Sequence, residues 1–160
     1  MSEFAALLRR FTAAVEANDG QAFGALFTDD GTYEDHAYGR FTGPAEIARM
    51  VNEIWLRDGR DYKWDMRDAV AEGPWGYANF TFSFVGATKY NDGRRMVTDG
   101  AARFGLRDGK LTSYREWMDN LVALQQLGTP PEVMLRFGGK IIDRIRAQPA
   151  SARHLKEGKS

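Results

Sequence analysis

The sequence predicts an α+β fold in which N-terminal helices are followed by a meander of antiparallel strands. Three observations carry that reading. Apolar residues recur at helical spacing in the first third of the chain, and from Asp61 onward the period falls to two. Turn signals at Glu72-Gly73-Pro74, Asn91-Asp92-Gly93 and Arg107-Asp108-Gly109 then cut the second half into consecutive strands.

Each element has its own local cause. Ser2 can cap a helix whose apolar stripe is Phe4, Leu7, Leu8, Phe11 and Val15, ending at Asn18-Asp19-Gly20. A short second helix runs through Phe23, Leu26 and Phe27 and is stopped by Thr28-Asp29-Asp30-Gly31. Thr32 to Tyr38 reads as the first strand, and alternation puts Tyr33 and Asp35 on one face. Pro44 opens a third helix that buries Ile47, Met50, Val51, Ile54 and Trp55 and ends at Asp58-Gly59.

Tyr62, Trp64 and Met66 then alternate with Asp61, Lys63, Asp65 and Arg67, the mark of a strand with one wet face. Strands are expected from Tyr77 to Phe84, Arg94 to Leu106 and Lys110 to Asp119, with Gly100 marking a bulge or bend in a strongly coiled sheet. The concave side of such a sheet is where the helices bury their stripes. Beyond Gly128-Thr129-Pro130-Pro131 an amphipathic helix carries Val133, Leu135, Ile141, Ile142 and Ile145, weakened by Gly138-Gly139, and a frayed tail follows Pro149. Residues 1–128 therefore form the main domain and 129–160 its C-terminal helical extension.

Composition narrows the function. A chain of 160 residues can bury roughly two-thirds of its unfolded surface in one core, so no second domain is needed. Twenty-two Lys and Arg balance 22 Asp and Glu, which leaves no long-range field for nucleic acid or an anionic membrane. The absence of Cys removes disulfides, thiolate chemistry and Cys-based zinc sites, so any chemistry must use carboxylates, His, Tyr, Arg or hydroxyls. The N-terminus carries an acid where a secretory signal would carry base, and the expected compartment is the cytoplasm.

The element order, together with Ala13-Ala14-Val15-Glu16-Ala17-Asn18-Asp19, the run Leu26 to Asp35, and Phe41-Thr42-Gly43-Pro44-Ala45-Glu46-Ile47, resembles the nuclear transport factor 2-like superfamily. In particular it resembles the SnoaL-like, polyketide cyclase-like branch, over Phe4 to Gly128. The resemblance implies a cone-shaped, cystatin-like domain in which a curved antiparallel sheet wraps the N-terminal helices around a pocket, often as a dimer through the outer face of the sheet. Cyclases, isomerases, dehydratases, other lyases and epoxide hydrolases share the fold, so it names no single reaction.

Asp35, in Thr32-Tyr33-Glu34-Asp35, matches the motif position of the isomerases' proton-abstracting carboxylate. Walled by Tyr33, Trp55 and Phe residues, such a carboxylate is expected to have its charged form disfavoured. The bland reading is a strand-end Asp bonding a loop amide. Elsewhere the isomerase pattern is broken: Phe11 stands where its oxyanion-binding Tyr would be, and its protonated Asp falls near Gly100 or Ala102.

Asp119, at the end of Tyr114-Arg115-Glu116-Trp117-Met118-Asp119, resembles a carboxylate of the epoxide hydrolases, with Arg115 as its partner or as an anion contact. The hydrolases' earlier Arg-x-Asp is missing, since that strand reads Asn79-Phe80-Thr81-Phe82-Ser83. Asp119 could instead close a surface ion pair. Tyr33 and Tyr114 are candidate hydrogen-bond donors, and Phe11, Trp55, Tyr114, Trp117 and His36 candidate pocket residues, although aromatics in a stripe are more often plain core. A bulge in the last strand would exchange Tyr114, Glu116 and Met118 for Arg115, Trp117 and Asp119 as pocket lining. His36 lacks metal-ligand spacing, and neither metal nor cofactor is expected.

The reading that follows is a cofactor-independent acid/base enzyme, of cyclase, isomerase or dehydratase type, acting on a small apolar carbonyl compound in an enclosed pocket. The alternative is a non-catalytic module that binds a small hydrophobic ligand or a protein. A homodimer through the sheet is expected in either case.

Overall fold

A computed structural model of the chain describes residues 2–35 and 37–156. Helices α1 (Glu3–Glu16) and α2 (Gly20–Gly24) lead into strand β1 (Phe27–Asp35) and the short β2 (Gly39–Thr42). Helix α3 (Gly43–Arg49) continues through a π-helical turn (Met50–Trp55) into α4 (Leu56–Asp58). Four long strands follow, β3 (Gly59–Glu72), β4 (Trp75–Gly86), β5 (Arg95–Arg107) and β6 (Lys110–Met118), then helices α5 (Asn120–Gln126) and α6 (Pro131–Arg146) and a 3-10 turn (Pro149–His154). The strands form one sheet of order β2-β1-β6-β5-β4-β3, antiparallel throughout except for the β1–β6 pair.

The helical starts follow their caps. Ser2 accepts from Ala5 N (3.2 Å), and Asp19 accepts from Ala22 N (2.9 Å). Helix α1 buries the predicted stripe Phe4, Leu7, Leu8, Phe11 and Val15 against the inner face of the sheet. α2 is shorter than its apolar residues suggest: Phe27 already belongs to β1, and Thr28 to Gly31, expected as a helix stop, form the first half of that strand. Thr28 is held there by donating its hydroxyl to Leu111 O (3.3 Å) across the parallel pair. β2 and α5 have no counterpart in the sequence reading, being only 4 and 7 residues long.

Bulges shape the sheet. The β3–β4 register shifts between Arg60 and Lys63 and again between Arg67 and Val70, and Asp61 and Asp68 lie at those breaks with φ of 52° and 53°. In β6 the extra residue is Thr112: Leu106 pairs with Leu111, whereas Gly105 pairs with Ser113. Gly100, expected to mark a bend, sits in unbroken register with both neighbours. Its role is close approach, since a Cβ there would stand 2.3 Å from the Trp117 carbonyl oxygen and 2.6 Å from the Phe80 ring.

Where β6 leaves the sheet at Met118, the next backbone groups of β5 would be orphaned. Gln126 of α5 replaces the missing strand: its Nε2 donates to Val97 O (2.8 Å) and its Oε1 accepts from Val97 N (3.0 Å). α6 runs unbroken through Gly138-Gly139, yet none of its residues is fully buried. It is held by one partly buried side, Met134, Phe137 and Ile141, while Leu135, Ile142 and Ile145 face water. No described helix is long and apolar enough to cross a membrane.

Candidate active site

Between the inner face of the sheet and helices α5 and α6 lies a cavity of about 310 Å³, at the small end of the range for ligand sites. Its aromatic wall is Tyr33, Trp55, Tyr62, Trp64, Phe82 and Phe84, and Met96, Met118, Leu127 and Phe137 add aliphatic and aromatic cover. Three carboxyl groups break this apolar lining, Asp35 and Glu116 from adjacent strands and Asp58 from the end of α4.

Asp35 ends β1 on the same face as Tyr33, as alternation requires, and the residue is only 8% exposed. Its Oδ1 accepts from the backbone N–H groups of Ala37 (2.7 Å) and Tyr38 (2.9 Å), and its Oδ2 accepts from the indole Nε1 of Trp55 (3.3 Å). Trp55 is presented by the π-helical turn, a local underwinding that costs helix geometry and recurs at functional positions. The Tyr62 hydroxyl fixes that turn by donating to Trp55 O (2.7 Å). One Asp35 oxygen thus orders the loop after β1, and the other faces the cavity wall.

Glu116 is placed by the Thr112 bulge. Simple alternation from the buried Leu111 would carry Ser113, Arg115 and Trp117 inward, but the extra residue reverses the parity and turns Tyr114, Glu116 and Met118 to the inner face. Glu116 is 8% exposed and accepts from the Tyr114 hydroxyl (2.5 Å). Burial pushes its carboxyl pKa up to about 8; the Tyr114 hydrogen bond works against the rise and the charge of Asp35 adds to it. At neutral pH Glu116 is mostly a neutral acid.

Tyr33 stacks on Tyr114 with ring centroids 4.6 Å apart, and burial holds both phenols well above their ordinary pKa, so both stay protonated donors. Nearer the mouth, the Tyr38 hydroxyl donates to Asp58, whose other contacts come from Arg57 Nε (2.7 Å) and Nη2 (2.6 Å). The Arg57 hydrogen bonds hold the Asp58 carboxyl below the usual range, and burial followed by the Asp58 contact raises the Tyr38 phenol.

The remaining predicted site residues lie elsewhere. Asp119 is exposed and caps α5, accepting from Leu121 N (3.0 Å) and Val122 N (3.2 Å). Arg115 and Trp117 point away from the cavity because of the same bulge, with the guanidinium over the indole at 5.2 Å and its Nε 3.6 Å from Glu34. Phe11 is sealed in the core behind the cavity, touching Phe23, Trp64, Phe104 and Tyr114, and so offers no surface to a ligand. Tyr114 also stands behind the wall, its hydroxyl reaching Glu116. His36 lies outside the described residues. Among the described residues no group of three or more His, Cys, Asp or Glu is placed to hold a metal ion.

The sequence does not single out Tyr38, Tyr62, Asp58 or Phe137, and it names Glu116 only as lining that a bulge in the last strand would decide. The spacing of Leu111 and Tyr114, two apolar residues three apart inside a strand, was the available signal for the bulge that brings Glu116 in.

The fold recurs in solved structures. A hypothetical protein of Catenulispora acidiphila with a ketosteroid isomerase-like fold, solved with trimethylamine, is 23% identical and superposes with a TM-score of 0.69 over 78% of this chain and 93% of its own. TsrD of Streptomyces laurentii is 23% identical with a TM-score of 0.67, covering 80% of this chain and 96% of its own. An LEH-like epoxide hydrolase of M. tuberculosis is 19% identical with a TM-score of 0.64, covering 78% and 84%. At these identities the likeness establishes fold alone. No curated protein matches the sequence. Residues 8–114, more than half of the chain, match the SnoaL-like domain, and the chain belongs to that family.

Proposed function

We propose that this protein is a cofactor-independent acid/base enzyme acting on a small, flat carbonyl compound held in the aromatic cavity. The observation that carries the reading is two of the cavity's three carboxyl groups, on neighbouring strands and in different surroundings: Asp35 is ringed by N–H donors, and Glu116 is buried against a phenol and held protonated, whereas the third, Asp58, is paired with Arg57. Asp35 Oδ2 takes a proton from the carbon beside the carbonyl, the C–H electron pair moves into the forming enolate, and the Glu116 proton meets the developing charge on oxygen. Return of the Asp35 proton to carbon and of the O–H proton to Glu116 closes the cycle of an isomerase. In a cyclase the enolate carbon instead bonds to a second carbonyl carbon whose oxygen takes the Asp35 proton, and in a dehydratase the enolate expels a β-hydroxyl that leaves as water with that proton, the enol O–H proton returning to Glu116 in both. Trp55 aims Asp35, and Tyr114 aims Glu116.

The test needs no natural substrate. In deuterated buffer, NMR follows loss of the α-protons of 2-tetralone, a flat ketone. The wild type is expected to accelerate exchange, and Asp35→Asn and Glu116→Gln each to lose about 10²-fold or more of that acceleration. Full exchange in both variants would overturn the assignment. A second reading, a ligand-binding module without turnover, is favoured by Asp35 Oδ1 already ordering the loop through Ala37 and Tyr38; ketone binding with no exchange above buffer would select it. In either reading the outer face of the sheet, with Trp75, Tyr77, Val97 and Trp117 exposed, joins two copies into a homodimer. The working compartment in this proposal is the cytoplasm.

A further inference from the structure

Helix α6 meets the rest of the domain through one side only, and from that side its Phe137 lines the aromatic cavity. On the other side Leu135, Ile142 and Ile145 are between 51% and 77% exposed, and at about 100° per residue they form one stripe. Gly138 and Gly139 sit in the middle of it. A Cβ on either would meet nothing within 4 Å, and neither has positive φ, so nothing in the chain itself asks for glycine there. Both weaken the helix relative to alanine, and what they supply in return is room for a second helix to come close.

The charges beside the stripe say which helix fits. Glu132 and Arg146 border it on one flank, and Arg136 and Asp143 stand further round the same flank. Among the described residues none of these four forms an ion pair. Along the helix their signs run minus, plus, minus, plus; read backwards they run plus, minus, plus, minus. We infer that α6 pairs antiparallel with α6 of a second copy of this chain, through Leu135, Ile142 and Ile145, about a two-fold axis at Gly138-Gly139. In that register Leu135 faces Ile142 of the other copy, Glu132 lies beside Arg146 and Arg136 beside Asp143, each pair occurring twice. A parallel copy would set like charge on like.

At about 24 Å the face is too short for a standard interface, so the contact is weaker than the sheet dimer and adds to it. It covers the side of α6 that the domain leaves bare, and so steadies the helix that supplies Phe137 to the cavity. The pairing is independent of the chemistry proposed for that cavity.

Cross-linking tests it, because the chain has no cysteine of its own. Leu135→Cys and Ile142→Cys are made in a Tyr77→Asp background, which removes the sheet contact, and are oxidised separately and as an equal mixture at about 0.2 mM, where weak contacts are populated. The mixture is expected to give a disulfide-linked dimer in about fivefold or greater yield than either variant alone, since Leu135 faces Ile142 and not itself. Adding Glu132→Arg to both chains should lower that yield about threefold, and adding Arg146→Glu as well should restore it. All four of these α6 positions are exposed, so the substitutions leave the fold intact. Equal yields from the separate variants, no cross-link in the mixture, or a yield blind to both charge reversals would overturn the pairing. Cosedimentation of the wild type with phosphatidylserine vesicles, without a cross-link in the mixture, would give the face to a membrane surface and overturn it too. Ketone exchange is read separately, so the acid/base reading stands or fails on its own test.

Discussion

Glu116 shows how one side chain can be costly for folding and, in the proposed reaction, useful for chemistry. A free glutamate ionises near pH 4.5, whereas in the fold burial keeps the proton on to about 8. Between those two values the folded chain binds more protons than the unfolded chain, so stability falls as pH rises, by about 1.4 kcal/mol per unit at most. Below pH 4.5 both states are protonated and the penalty is absent; above 8 both are ionised and it levels off. Glu116→Gln keeps an acceptor for the Tyr114 hydroxyl and has no proton to lose. In urea titrations from pH 4.5 to 8.5 the variant should gain on the wild type steadily across that window and then run parallel to it. A difference that stays constant with pH would show that Glu116 is not held neutral. The same group sets the kinetic profile: ketone exchange should decline as pH passes about 8 and the acid loses its proton.

At the scale of elements, Asp119 and Gln126 hold the end of the sheet together. Asp119 caps α5 with two backbone hydrogen bonds, and α5 carries the Gln126 amide that completes β5. Asp119→Ala should therefore cost about 1 kcal/mol, lowering Tm by about 2–4 °C, and leave ketone exchange within twofold of wild type. A large loss of exchange with unchanged Tm would return Asp119 to the chemistry. These elements also mark where the sequence is readable. Helix α1 and the Tyr62, Trp64, Met66 face of β3 follow from periodicity because each buries one continuous stripe. The placement of Tyr33 and Asp35 on the inner face follows from alternation alone. The parity of β6 does not, because aromatics stand on both of its faces, Tyr114 inside and Trp117 outside, and one inserted residue at Thr112 decides between them. β2 and α5 escaped because they are too short for a period to show, and they are stabilised by partners distant in sequence rather than by propensity.

For the molecule as a whole, the two faces of the sheet do different work. The inner face is committed to the helices and the cavity, and the outer face leaves Trp75, Tyr77, Val97 and Trp117 between 40% and 48% exposed. Arg103 and Arg115 lie directly opposite each other there, and each guanidinium sits over a tryptophan, Arg103 on Trp75 at 4.8 Å and Arg115 on Trp117 at 5.2 Å. Trp, Tyr and Arg are the residues that carry interface energy, and a patch that pairs with its own copy closes as a two-fold dimer without leaving a surface to propagate. Sedimentation equilibrium at 10 μM, a concentration of the order at which interfaces of this class are populated, should then give twice the 18.0 kDa chain mass. Tyr77→Asp places a charge at the middle of the patch and should shift the equilibrium toward monomer by about 2 kcal/mol or more. Because Tyr77 projects from the face opposite the cavity, the monomeric variant should retain ketone exchange per chain. A single 18.0 kDa species at 100 μM would exclude the dimer. Loss of exchange on dissociation would mean instead that the sheet depends on its partner to hold Asp35 and Glu116 in register.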